Sequence, residues 1–249
     1  MSTDQTSGGK VVLVTGGSRG IGAGIAKRFA AEGYRVAVGY RSGKDAANKV
    51  IGEITAAGAQ GIAVAGDIAK PEDAKAMVAQ VVARFGAIDV LVNCAGVAEY
   101  RAFESTDAAL FHATFDTNVF GTVSMIQAVL PHMPAPGGRI INFSSALATR
   151  PIPTASIYSA SKAAVTALTH ALAKEFGPRG ITVNAIAPGV IETEMTTKIL
   201  AERGAGIKAM TPLGRIGQTD DIAGIAVFLS SPDAKWVTGR TIIADGGIS

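Results

Sequence analysis

Seven short apolar runs punctuate the chain: Val11–Thr15, Arg35–Tyr40, Gly61–Ala65, Val90–Asn93, Arg139–Phe143, Thr182–Ala187 and Arg240–Ala244. Most are continuous rather than alternating, the pattern of strands covered by helices on both faces. Between them lie stretches with helical spacing, over 21–32, 44–57, 72–85, 103–131, 156–177 and 219–230. The last carries a start signal in Thr219 followed by Asp220 and Asp221. This alternation, without a break in composition, predicts an α/β fold: one doubly wound, mainly parallel seven-stranded sheet flanked by helices, with right-handed crossovers. Residues 1–9 read as a polar, flexible N-terminal tail and 10–249 as one domain. The stretch 188–214, rich in glycine, threonine and proline-bounded turns, is the least regular, and a mobile substrate lid is expected over about 191–212.

Composition narrows the class. A chain of 249 residues, 48% hydrophobic and 17% charged, can bury a sizeable core and is not disordered. Its 23 basic and 20 acidic residues are scattered and leave a net charge of only +3, so no nucleic-acid partner is expected. The single cysteine, Cys94, rules out an intrachain disulfide and suits a reducing, cytoplasmic setting. The first ten residues lack an apolar core, so no signal peptide is expected. The longest notable uncharged stretch, Thr117–Gly138, contains Asn118, Gln127, His132 and three prolines and does not read as a membrane span. No Cys, His and carboxylate set has metal-ligand spacing, and no metal is expected.

The first strand runs into Thr15-Gly16-Gly17-Ser18-Arg19-Gly20-Ile21-Gly22 and then a helix. A glycine-rich strand-to-helix turn lets a pyrophosphate approach the backbone, where the helix N-terminus offers N–H groups and a positive dipole end. The second strand ends at Tyr40-Arg41-Ser42 with no acidic residue to accept from a ribose 2′-hydroxyl. Arg41 and Arg19, with Ser18 and Ser42, instead suit a 2′-phosphate, which favours NADP(H) over NAD(H). Asp67, followed by Ile68, closes the third strand; its carboxylate suits an adenine amino group or, equally, a turn. Asn93, Ala95 and Gly96 end the fourth strand with small residues against which a cofactor ribose can pack.

Tyr158 and Lys162 are spaced i, i+4 on a helical stretch and share one face. A nearby ammonium favours a phenolate, so Lys162 is expected to lower the Tyr158 pKa from its ordinary value of about 10. Ser145 follows a strand and can face the same crevice. Tyr158 would protonate a carbonyl oxygen as hydride reaches its carbon, and Ser145 would donate a hydrogen bond to that oxygen. Gly16-Gly17-Ser18-Arg19-Gly20 also fits the serine-hydrolase elbow, but His112, His132 and His170 all precede the place where that chemistry needs its histidine.

Taken together, these elements resemble the short-chain dehydrogenase/reductase family over about residues 9–248. The resemblance rests on Thr-Gly-x-x-x-Gly-x-Gly at 15–22, Asp67, Asn-x-Ala-Gly at 93–96, Asn118 and Ser145. It rests further on Tyr158-Ser-Ala-Ser-Lys162, Pro188-Gly189 with Thr193, and Asp245-Gly246-Gly247. It implies a single-domain Rossmann fold, a catalytic set of Asn118, Ser145, Tyr158 and Lys162, and an NADP(H) site. Asn118 would hold a water that relays protons to Lys162, and Lys162 would also bond the nicotinamide ribose. Pro188, Gly189, the Val190–Ile191 backbone and Thr193 would bind the nicotinamide end. A homotetramer built on the helices near 103–131 and 156–177 is implied as well.

Within the family the chain is most similar to 3-oxoacyl-[acyl-carrier-protein] reductases, through Arg179–Asn184 and Ala187–Thr193. Met133–Gly138 carries no charge, however, and Glu99 follows the fourth strand, neither suited to an acidic carrier protein; Arg179 does match a basic docking position. The expected substrate is therefore a small or medium ketone or aldehyde, with a 3-oxoacyl thioester as the alternative. The pocket wall is expected from 97–103, 146–155 and 191–212. A non-catalytic, NADPH-sensing protein on the same fold is the rival from another class.

Overall fold

A computed structural model describes residues 9–249; residues 1–8, and with them most of the expected tail, lie outside the described residues. Strands β1 (Val11–Thr15), β2 (Arg35–Tyr40), β3 (Gly61–Ala65), β4 (Val90–Asn93), β5 (Arg139–Phe143), β6 (Thr182–Pro188) and β7 (Thr241–Ala244) form one sheet in the order β3-β2-β1-β4-β5-β6-β7. Every pairing is parallel. Helices α1 (Gly20–Ala31), α2 (Lys44–Ala56), α3 (Pro71–Phe85), α4 (Ala108–Phe115), α5 (Gly121–Val129), α6 (Ser156–Phe176), α7 (Thr197–Met210) and α8 (Thr219–Ser230) connect and cover them.

The apolar runs are continuous because both sheet faces are buried. Val12 and Val14 of β1 join a core with Ile25 and Phe29 of α1 and Ile222 and Leu229 of α8. Val11 and Leu13, one residue out of phase, join the opposite core with Met77 and Val81 of α3 and Met125 and Val129 of α5. The two-residue period of the strand thus divides one valine-rich run between two cores.

Two expectations are corrected. The helix expected over 103–131 is broken. A 3-10 turn at Phe103–Ser105 precedes α4, a π-helical turn at Asp116–Phe120 separates α4 from α5, and Leu130–His132 closes as a second 3-10 turn. Asp107 caps α4 by accepting from the Leu110 N–H at 2.8 Å, which fixes a start that hydropathy alone does not mark. The stretch 188–214 is also more regular than expected, since α7 occupies fourteen of its residues. Gly204 and Gly206 mask good helix formers there, and α7 buries only Ile207, so it has almost no apolar period to reveal it. Among the described residues no helix is long and apolar enough to cross a membrane, and no group of three His, Cys, Asp or Glu could hold a metal ion.

Candidate active site

Strand order reverses between β1, which continues to β2, and β4, which continues to β5. In a doubly wound sheet the crevice at the carboxyl ends of such strands is where ligands bind. The loops after β1 and β4 meet there. Gly16 adopts a φ of +64°, and a methyl group on it would lie 2.8 Å from the Ala95 α-carbon. Thr15 Oγ1 accepts from the Ala95 N–H at 3.1 Å and closes the same junction. The result is a floor of bare backbone between the two strand ends.

Helix α1 rises from this floor. Arg19 stands at its N-cap, and no side chain caps its first N–H groups. The uncapped terminus beside a glycine floor fits a pyrophosphate, whose oxygens would satisfy those donors. Arg19 lies 3.8 Å from Glu194, and Arg41 lies 3.9 Å from Asp67; both guanidiniums are more than half exposed. Ser42 is exposed and Tyr40 half-buried at the end of β2. Asp67 Oδ1 accepts from the Ala69 N–H at 3.1 Å, so its carboxylate shapes the turn while remaining near Arg41. Ile68 turns its side chain into the core against Gly121. Asn93 is likewise turned inward, its Nδ2 donating to Asn142 Oδ1 at 3.0 Å.

The third wall follows β6. Gly189 N–H donates to the Ala244 carbonyl at 2.9 Å, anchoring the Pro188–Gly189 turn on β7. Ile191 is buried, and its carbonyl accepts from Thr196 Oγ1 at 2.6 Å. Thr193 faces Gly20 across the crevice, its side chain about one van der Waals contact from where a Gly20 Cβ would stand. The strand-end residues expected at the cofactor therefore lie at or just after the carboxyl ends of five parallel strands, β1, β2, β3, β4 and β6, along one edge of the sheet.

The catalytic candidates line the same crevice further along. The C-terminal end of β5 grips α6 through three consecutive residues. Phe143 offers its carbonyl to Lys162 Nζ at 2.8 Å. Ser144 Oγ bonds the Lys162 carbonyl at 3.1 Å and Thr166 Oγ1 at 2.8 Å. Ser145, and not Ser144, stands beside the Tyr158 phenol. Its Oγ accepts from the Leu147 N–H at 3.2 Å.

The electrostatics differ from expectation. Burial pushes the Tyr158 phenol up to about 12, with Tyr100 adding to the rise and Ser145 opposing it. Lys162 does not lower it: the ammonium lies over the ring, 5.9 Å from its centroid. Lys162 is itself pushed down to about 8 by burial. Desolvation therefore dominates at both groups, and the tyrosine is a protonated acid near neutral pH. Burial likewise raises the neighbouring Cys94 thiol to about 12, which makes it a poor nucleophile.

Asn118 sits in the π-helical turn and is 1% exposed. Its Nδ2 donates to the Val97 carbonyl and to Ser161 Oγ, both at 3.0 Å, and its Oδ1 accepts from the Val97 N–H at 2.8 Å. Both N–H donors of the amide are thus spent on the protein. A methyl group on Gly96 would stand 3.1 Å from Asn118 Oδ1 and 3.4 Å from Lys162 Nζ, so the two polar groups face the same point beside the glycine. Missing from the sequence reading are Phe143 and Ser161: a backbone carbonyl and a buried serine that hold Lys162 and Asn118 leave no signal in residue type.

Comparison with known proteins agrees with this geometry. The family model described as enoyl-(acyl carrier protein) reductase matches residues 16–249. An uncharacterized oxidoreductase of Methylorubrum extorquens is 46% identical over 243 residues, covering 96% of this chain and 98% of the relative. The 3-oxoacyl-[acyl-carrier-protein] reductase FabG of Staphylococcus epidermidis is 41% identical over 240 residues, covering 96% and 98%. A short-chain dehydrogenase from Burkholderia cenocepacia, solved in complex with NADP, superposes with a TM-score of 0.91 at 38% identity, covering 96% of this chain and 97% of its own. A blue fluorescent protein from a metagenomic library, solved with NADPH, gives 0.92 at 39% identity, covering 98% and 100%. The chain is an oxidoreductase of the short-chain dehydrogenase/reductase family, similar to 3-oxoacyl-[acyl-carrier-protein] reductases.

Proposed function

We propose that this chain is an NADPH-dependent carbonyl reductase, converting a ketone or aldehyde to an alcohol with Tyr158 as general acid. The observation that carries the reading is the Tyr158 phenol, kept protonated by burial, with the Ser145 hydroxyl beside it and the Lys162 ammonium over its ring. Gly16, Gly20, Ile21 and Gly22 would form the pyrophosphate cradle, Ser18, Arg19, Tyr40, Arg41 and Ser42 the 2′-phosphate end, and Asp67 with Ile68 the adenine edge. Asn93, Ala95, Gly96, Pro188, Gly189, Ile191 and Thr193 would hold the nicotinamide half. The NADP- and NADPH-bound neighbours support this assignment, as does the absence of an acid after β2. When bound, the nicotinamide supplies a hydride to the carbonyl carbon.

The protein's part is positional and electrostatic. Ser145 donates to the carbonyl oxygen, drawing charge toward it and aligning it with the phenol. Tyr158 transfers its proton to that oxygen as negative charge develops there. Lys162, held over the Tyr158 ring by the Phe143 carbonyl, would bond a ribose hydroxyl of the nicotinamide half and so orient it beside the phenol. A water beside Gly96, between Asn118 and Lys162, would return the proton. Residues 191–212, including α7, would close over the substrate.

The second reading, a 3-oxoacyl-[acyl-carrier-protein] reductase, is favoured by the Staphylococcus relatives. Against it, Arg139, the first charge after the neutral 133–138 stretch, is buried, its Nη1 donating to the Gly137 and Gly138 carbonyls at 3.0 Å. Arg179 is the basic group left exposed at that face, and it bonds the Leu130 carbonyl at 3.3 Å. NADPH oxidation followed by absorbance, with NADH in parallel, across ketones, aldehydes and 3-oxoacyl thioesters separates the two. Turnover of simple carbonyls with thioesters poor supports the first reading; strong preference for thioesters supports the second. A homotetramer is part of the proposal, supported by exposed Phe111 and Phe120 along α4 and the π-helical turn, and light scattering on the purified protein tests it.

A further inference from the structure

The strap between β4 and α4 is fastened at both ends. At its start the two backbone groups of Val97 bond the Asn118 amide, at 2.8 and 3.0 Å. Further on, the Arg101 guanidinium bonds Glu99, Asp107 at 3.2 Å and the Ser105 carbonyl at 3.4 Å. The backbone N–H of Arg101 donates to the Thr154 carbonyl at 2.8 Å, which ties the strap to the segment between Ser145 and Tyr158. Among the described residues Thr154 is the only non-glycine with a positive φ, +70°, so the receiving segment is itself held in a tight turn.

Tyr100 stands between the two fastenings. Its ring meets the Tyr158 ring edge to face, with centroids 6.0 Å apart and planes at 75°. The Lys162 ammonium also lies over the Tyr158 ring, 5.9 Å from its centroid. Tyr100 is 49% exposed, so an aromatic surface bordering the reacting phenol is open to a ligand. Phe103 at 70% and Ile152 at 43% flank the junction within two residues of Arg101 and Thr154. Of the charges on the strap, Glu99, Arg101 and Asp107 pair with one another, and Glu104 is exposed in the 3-10 turn.

We propose that Tyr100 is a specificity-determining residue whose ring forms the wall for an aryl, or similarly flat and apolar, ketone or aldehyde. The inference rests on the carbonyl-reductase reading and names its substrate class. An aromatic ring offers a flat substrate offset or edge-to-face contact, which a flexible acyl chain cannot match. The double fastening holds the wall in place before binding, so little ordering is left to pay when the substrate arrives.

The test compares methyl phenyl ketone with methyl cyclohexyl ketone in wild type, Tyr100→Phe and Tyr100→Leu. It reads kcat and KM with saturating NADPH, and ketone affinity by calorimetry on the NADP+-loaded protein. The expected result is an aryl preference in wild type that Tyr100→Phe keeps. In Tyr100→Leu the aryl-to-cyclohexyl ratio of kcat/KM falls about five- to tenfold, mostly through KM. A ratio that does not move, or no preference in wild type, overturns the proposal. If wild type oxidises no NADPH with either ketone, the reductase reading fails and the calorimetry decides the wall. Aryl affinity lost in Tyr100→Leu and kept in Tyr100→Phe supports it, and equal affinities overturn it.

Discussion

The two ends of the crevice solve opposite problems. At the cofactor end the charged groups are exposed and loosely held: Arg19 and Arg41 are more than half exposed and meet Glu194 and Asp67 at 3.8 and 3.9 Å. At the catalytic end the groups are buried and tightly bonded. Lys162 is 5% exposed and donates to Phe143 at 2.8 Å, and burial moves the pKa of both Lys162 and Tyr158. An exposed cation recognises a phosphate without desolvation cost until the ligand arrives. An acid that must act at neutral pH is instead tuned by taking it out of water.

This contrast predicts large effects at the buried end and small ones at the exposed end. Tyr158→Phe removes the proton donor and should lower kcat about a thousandfold while NADPH affinity, read by fluorescence titration, stays within twofold. An unchanged kcat would mean the proton comes from elsewhere.

Lys162→Met should lower kcat about a hundredfold, yet raise the melting temperature at pH 7. Burial holds the folded-state pKa near 8 against an ordinary 10.5, so the unfolded chain binds a proton that the folded chain resists. Wild-type stability therefore rises with pH between about 8 and 10.5, and the advantage of Lys162→Met should close over that window. A few degrees is the expected scale at neutral pH, since Phe143 also loses its donor. Wild-type reduction should decline above pH 8 as Lys162 discharges. A melting temperature that drops at every pH would show that the Phe143 bond outweighs the burial cost.

At the exposed end, Arg41→Asp should swing the NADPH-to-NADH ratio of kcat/KM about ten- to a hundredfold toward NADH. No swing would mean the 2′-phosphate is held elsewhere. The smallest effect is expected from Glu194→Ala, which frees Arg19: NADPH should bind about two- to threefold tighter, as the loss of an exposed ion pair allows. Weaker binding would make Glu194 a cofactor contact rather than a competitor.

The same contrast explains what the sequence made legible. The strands were visible because burial on both faces leaves uninterrupted valine and isoleucine. Gly16 and Gly22 were visible because close backbone approach admits no other residue. The break in the 103–131 helix was hidden because the π turn at Asp116–Phe120 stays helical and only widens one turn between α4 and α5. α7 was hidden because it buries one residue. The direction of the Tyr158 shift is not legible for a physical reason: i, i+4 spacing reports that Lys162 is near, and says nothing of how much water the fold removes. The bonds from Phe143, Ser144 and Ser161 that fix Lys162 and Asn118 involve backbone atoms or common serines, which no residue pattern marks.

The central claim is hydride delivery to a carbonyl with Tyr158 supplying the proton. Its most direct test uses NADPH carrying deuterium at the transferable C4 position, with product analysis by mass spectrometry and chiral chromatography. One alcohol enantiomer with deuterium on its carbinol carbon, formed by wild type and nearly absent with Tyr158→Phe, is the predicted result. NADPH consumption that leaves no deuterium in an alcohol, or equal product from both proteins, would contradict the account.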